Sequence, residues 1–228
     1  MKKIIILVGG KYHPFEEAGK FLSEKLKEKY DVHLVNNTDF LESDRLFNFD
    51  ALVFYTQGGV LKERQEKNLI KFVKNGGGFV GIHSANASFK ENKEYIKLIG
   101  SKFTKHGPQC EFEVNVKKSH FITRRIDSFR IFDEFYISEK VDFKEEDVLF
   151  SGYWQGKEYP LGYTKKYGKG RIFYFVPGHG METFLNPIFC PILDSILCVH
   201  ILLPLITESP ICLLYTSDAA DELDGVDL

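Results

Sequence analysis

The residues best suited to chemistry stand where apolar runs stop, and His83 is the clearest of them. It closes the run within Asn75-Gly76-Gly77-Gly78-Phe79-Val80-Gly81-Ile82-His83-Ser84-Ala85. The glycines tolerate positive φ and predict a helix stop and a turn. Phe79 to Ile82 is short and apolar, as a buried parallel strand is. His83 therefore falls at a strand's carboxyl end, where open α/β sheets bind ligands. Gly81 and Ala85 are small enough for a sharp turn that aims one side chain into a crevice. A nucleophile elbow presents a serine in this way. Here the place is held by an imidazole, which moves protons near neutral pH.

Other polar residues recur at similar positions. His13 follows the first apolar run, Gln57 the third, and His179 the run Arg171 to Val176. Ser84 adjoins His83. His106 lies in Phe103-Thr104-Lys105-His106-Gly107-Pro108, and Glu134 and Tyr136 in Asp133-Glu134-Phe135-Tyr136. Loops at one sheet edge can converge on one pocket. The expected catalytic groups are His83, His106, Glu134 and His179. The expected substrate-binding groups are His13, Gln57, Ser84 and Tyr136.

Two chemistries fit this set. His106, Glu134 and His179 would form a two-histidine, one-carboxylate site for a divalent metal. Their wide spacing matches no metal motif, so no cofactor is assured. Alternatively, the imidazoles and the carboxylate hydrogen-bond sugar hydroxyls and move protons. Ser84 as a nucleophile competes with a helix-capping role. Cys110 would need a neighbouring base; it starts an apolar alternation and reads as core. His120 reads as structural or as pocket rim. Gly76-Gly77-Gly78 precedes a strand rather than opening a helix, which excludes a phosphate loop.

The elements that must position these groups alternate. Ile4–Val8, Val32–Val35, Phe49–Tyr55 and Phe79–Ile82 read as strands. Between them Phe15, Ala18, Leu22 and Leu26 mark one helix face, and Leu69, Ile70 and Val73 another. A further helix around Lys90 to Ile99 is closed by Gly100. This is the βαβ signature of a flavodoxin-like, doubly wound and mostly parallel α/β sheet. Glu111–Val116, Ile131–Ser138, Val148–Gly152, Leu161–Lys166 and Arg171–Val176 then read as a β-rich C-terminal extension. Phe189 to Leu203 reads as a closing helix with Pro191 in its first turn.

At 228 residues and 43% hydrophobic, the chain can bury a sizeable core. A net charge of −2 argues against nucleic acid as an obligatory partner. The first apolar run is too short for a signal peptide, and no stretch is long enough to cross a bilayer. The four cysteines lack zinc or redox spacing, so a reduced cytoplasmic protein is expected, with a homo-oligomer left open. From Ile211 the character changes. Residues 212–228 hold five acids and no bases, and resemble one reading frame of a sequencing adapter. A single domain over 1–210 and a non-native read-through tail over 211–228 are expected; a genuine acidic tail is the alternative.

Several motifs in the same order resemble the ThuA-like (trehalose utilisation protein A) family. They are Gly76 to Ala85, Phe103 to Gly107, Asp133 to Tyr136, and Tyr167 to Tyr174 with Gly178-His179. The resemblance spans roughly residues 1 to 200. It implies a class I glutamine amidotransferase-like fold without the amidotransferase cysteine. It also implies a role in carbohydrate metabolism, with keto-disaccharides or related glycosides as substrates. Leu161-Gly162-Tyr163-Thr164 departs from the family's proline or small residue followed by tryptophan, which alters the pocket wall. The expected function is an acid/base enzyme of sugar metabolism; the alternative is a non-catalytic sugar-binding or regulatory module. An amidotransferase or cysteine peptidase would need a cysteine where His83 stands. A flavin-binding relative would need hydroxyls in the loop Gly9 to Pro14, which lacks them.

Overall fold

The computed structural model describes residues 1–202, and the expected tail over 211–228 lies outside the described residues. Strand β1 (Lys2–Gly9) carries the buried run Ile4 to Val8. Helix α1 (Phe15–Leu26) buries Phe15, Ala18, Leu22 and Leu26, a single stripe at helical spacing. Next come β2 (Tyr30–Val35), two short 3-10 turns and β3 (Ala51–Thr56), all of whose residues are buried. Helix α2 (Glu63–Lys74) is capped where the Lys62 N–H donates to Gln65 Oε1 at 2.9 Å. β4 (Gly78–Ile82) follows, then α3 (Lys93–Ile99). Gly100 ends α3 at φ +93°, its N–H donating to Ile96 O at 3.0 Å, so the sequence sets that boundary correctly.

The remaining strands are β5 (Ser101–Val116), β6 (Phe129–Lys140), β7 (Val148–Trp154), β8 (Lys157–Tyr167) and β9 (Gly170–Phe175). Helices α4 (Met181–Leu185) and α5 (Phe189–Leu202) close the described chain. One nine-stranded sheet runs β2-β1-β3-β4-β9-β8-β7-β5-β6. The first five strands are parallel and the rest pair antiparallel. The parallel order is that of a flavodoxin-like doubly wound sheet. Crossovers through α1 and α2 leave β1 and β3 in opposite directions, so right-handedness puts those helices on opposite faces. α5 packs with α1, and α3 with α2.

The β-rich half departs from expectation at β9, which pairs parallel with β4 and joins the parallel core, and at β5, which starts well before Glu111. Phe103 to Pro108, outside the strand expected at Glu111–Val116, belongs to β5, which is sixteen residues long. Register shifts between Phe103 and Lys105, and between His106 and Gln109, absorb the extra residues. A bulge is where a strand tolerates a residue such as Pro108, which has no N–H. β5 meets β7 only at Asn115 and Val116. Most of β5 and β6 therefore forms a two-stranded arm beyond the main sheet.

Candidate active site

His83 sits on a strained turn. Its φ is +47°, in the left-handed region that β-carbons resist, at a typical cost of about 1–3 kcal/mol. Close packing holds it there. The Tyr174 hydroxyl donates to His83 O at 2.7 Å, and Tyr95 to Ala85 O at 2.8 Å. A Cβ on Gly81 would stand 2.9 Å from Ile99 Cδ1 and 3.3 Å from Ala85 Cβ. The small residues flanking the turn are thus required by space. The imidazole is fully buried. Its Nδ1 lies 2.7 Å from Val176 O. A carbonyl can only accept, so Nδ1 carries the proton and Nε2 is left with its lone pair. Nε2 has no hydrogen-bond partner.

Three more segments close on that nitrogen. His13, from the β1–α1 loop, meets His83 edge-on at 4.8 Å between ring centroids, and His179 at 4.9 Å. His179 follows β9. Glu134 and Tyr136 lie two apart on β6 and so share a face. Glu134 Oε2 is 3.0 Å from His179 Nδ1 and 3.8 Å from His83 Nε2. The shorter approach lacks hydrogen-bond alignment, which leaves His179 Nδ1 without a hydrogen-bond partner. The Tyr136 ring stands 3.9 Å from that of His83 and walls the site. His106 pairs with Tyr136 across the arm and lies at the exposed rim, its Nδ1 3.4 Å from Glu134 Oε1 and 2.7 Å from Gly107 O. His13, His83, His106, Glu134, Tyr136 and His179 are therefore brought together.

Sequence reasoning missed Asp133. It is buried on the opposite face of β6 from Glu134, and it organises the His179 loop. Its carboxylate accepts from Gly178 N–H at 2.8 Å, His179 N–H at 3.2 Å and the Thr183 hydroxyl. Burial pushes its pKa up to about 6, against the pull of those hydrogen bonds. Its place beside Glu134 was visible; the loop that it would meet was not.

The electrostatics favour neutral imidazoles. Burial, then the nearby His179, lowers His13 to about 4. Burial, then His13, lowers His83 well below the ordinary range. Both present lone pairs at neutral pH, able to accept a proton or bind a metal. Among the described residues, His13, His83 and His179 each offer a ligand atom within 4.8 Å of the others. This trio differs from the His106, Glu134 and His179 set anticipated from the sequence.

The profile of the ThuA family, described as trehalose utilisation, matches residues 3–195. The chain belongs to the ThuA family. No functionally curated protein matches it in sequence. Its fold is similar to that of a ThuA-like protein from Parabacteroides merdae ATCC 43184, at TM-score 0.76 and 20% identity over 86% of this chain and 89% of that one. A cytoplasmic protein from Salmonella typhimurium LT2 aligns at TM-score 0.65 and 14% identity, covering 87% and 99%. A cold-adapted β-galactosidase from Rahnella sp. R3 aligns at 0.64 and 12%, covering 86% of this chain and 31% of that one. At such identities the likeness is one of fold. This ThuA chain has the class I glutamine amidotransferase-like fold, with histidine at the elbow.

The other anticipated residues fall around this ThuA site. Gln57 is half-buried, and its N–H donates to Gly9 O at 2.8 Å beside the loop that carries His13. Ser84 is fully buried with its hydroxyl unpartnered, so it caps no helix. His120 Nδ1 accepts from the Ile122 N–H at 3.2 Å, a structural turn contact. Cys110, read as core, is only half-buried and packs against the core rather than within it. In the departing segment, the buried Tyr163 hydroxyl donates to Ile99 O at 2.7 Å. No helix among the described residues is long and apolar enough to cross a membrane.

Proposed function

We propose that this ThuA-family chain is an enzyme acting on a keto-disaccharide or related glycoside by acid/base chemistry. The observation that carries the reading is the His83 Nε2 lone pair, buried, unpartnered and 3.8 Å from Glu134 Oε2. The Val176 carbonyl fixes the tautomer, so the same nitrogen always faces the hollow. Such a nitrogen takes a proton from carbon or hydroxyl beside a sugar carbonyl. Buried among other histidines, the resulting imidazolium returns it readily. Glu134 steadies the imidazolium, and His179 beside it favours the proton's return. His106 and Tyr136 contact the sugar at the rim and wall, and His13, Gln57 and Ser84 complete the binding surface. The proposed partner is a small sugar rather than nucleic acid or membrane. The proposed location is the cytoplasm, in keeping with the name of the Salmonella neighbour.

The test is a panel of keto-disaccharides and glycosides with product analysis, run on wild type and His83→Ala. A loss of about 100-fold or more in turnover supports the role, and a loss below about tenfold removes it. A second reading, a non-catalytic sugar-binding module, is motivated by the occurrence of this fold as 31% of a β-galactosidase chain. Calorimetry on the same samples separates the two. Tight sugar binding without product favours the module.

A further inference from the structure

Unpaired polar atoms gather at one point in this molecule. His83 Nε2, both ring nitrogens of His13 and His179 Nδ1 are buried and lack hydrogen-bond partners. They come from three loops, after β1, β4 and β9, and one nitrogen from each ring lies within 4.8 Å of the others. Each orphaned buried group typically costs about 1–3 kcal/mol unless something satisfies it. Among native structures such groups are few and isolated, so four around one hollow call for an occupant.

We propose that His13, His83 and His179 bind one divalent transition-metal ion of the zinc class. The inference rests on the same site as the proposed function and moves one role within it: with the metal bound, the His83 Nε2 lone pair is coordinated and Glu134 is left to take the proton. Imidazole nitrogens suit zinc, cobalt, nickel and iron, and three histidines with an open side are the pattern of a catalytic rather than a structural centre. The outer shell fits at His83. A metal-ligating histidine donates its other ring N–H to a carbonyl or carboxylate, as His83 Nδ1 does to Val176 O at 2.7 Å. Asp133 accepts the His179 backbone N–H and so anchors the loop that supplies the third ligand. Zn–N bonds place neighbouring nitrogens about 3.3 Å apart, so binding draws the widest pair together by about 1.5 Å. Glu134 faces the open side, its Oε2 3.0 Å from His179 Nδ1 and 3.8 Å from His83 Nε2. It either fills the fourth position or takes a proton from what binds there. His106 stays outside this set.

The experiment uses untagged full-length protein, stripped with chelator and titrated with zinc chloride or cobalt chloride. Calorimetry, elemental analysis and the visible band of tetrahedral cobalt are read on wild type, His13→Gln, His83→Gln, His179→Gln and His106→Gln. Expected are one metal per chain, an affinity loss of at least tenfold for each triad variant and a change below about threefold for His106→Gln. If His83→Gln fails to fold, His13→Gln, from an exposed loop, still decides the matter. Substoichiometric binding, binding indifferent to His13→Gln, or an equal loss in His106→Gln would overturn the proposal. Metal-free protein that turns sugar over at full rate overturns the metal and leaves the enzyme standing. A stoichiometric metal with no sugar turnover supports the metal and counts against the enzyme.

Discussion

Gly178 runs so close beneath His83 that a β-carbon on the glycine would stand 2.8 Å from the histidine's own. The glycine also holds φ +151°, a backbone state that side chains resist. Gly178→Ala is therefore expected to destabilise the fold by about 1–3 kcal/mol. It should also push the His83 ring off its bond to Val176. Chemical denaturation checks the first effect, and the histidine ring resonances check the second.

Asp133 gathers two donors from the loop that bears His179 and a third, the Thr183 hydroxyl, from α4. Asp133→Ala leaves buried N–H and O–H groups without an acceptor, at an expected cost of about 3 kcal/mol. Asp133→Asn keeps one acceptor and should cost about half as much. Because the loop loosens, turnover should fall even where the variant is folded. Paired unfolding and product-formation measurements separate these effects.

Glu134 touches all three of His83, His106 and His179 across gaps of 3.8, 3.4 and 3.0 Å. Glu134→Gln keeps the shape and removes the charge. On the proposed mechanism it lowers kcat by about 100-fold with little change in unfolding midpoint. An unchanged kcat on a sugar that wild type converts would remove Glu134 from the chemistry.

Acid should weaken the metal-free protein, and the sign follows from three groups. Burial, then His179, lowers His13 to about 4, so its contribution is present above the ordinary histidine range and lost as pH falls through about 4. His83, lowered by burial and then by His13, acts in the same direction. Asp133, raised by burial to about 6, opposes them: its contribution is full below about 4 and lost as pH rises through about 6. Two imidazoles outweigh one carboxyl, so urea midpoints should drop between pH 6.5 and 4. His13→Gln should flatten that slope, and Asp133→Asn should steepen it.

Much of this was legible in the chain itself. The parallel half declared itself through Ile4–Val8, Phe79–Ile82 and the helix stripes between them, because burial on both faces leaves unbroken apolar runs. The elbow at His83 was legible for a steric reason: Gly81 and Ala85 are the sizes that the turn can hold. The arm of β5 was not. Its two bulges break the alternation that marks a strand, so only Glu111–Val116 of it was expected. The company kept by His13 was hidden too. Its distance from His83 and His179 is set by strand order, which no local pattern encodes.

Strand order has one more effect. β4 ends at residue 82, yet its neighbour β9 spans Gly170–Phe175, close to ninety positions later. A ribosome must therefore release the chain through Phe175 before the hollow has a second wall. Until then the rim of β4 is an open, sticky edge. Shortened products of this gene, even ones that keep every helix of the first hundred residues, would emerge chemically blank and prone to clump.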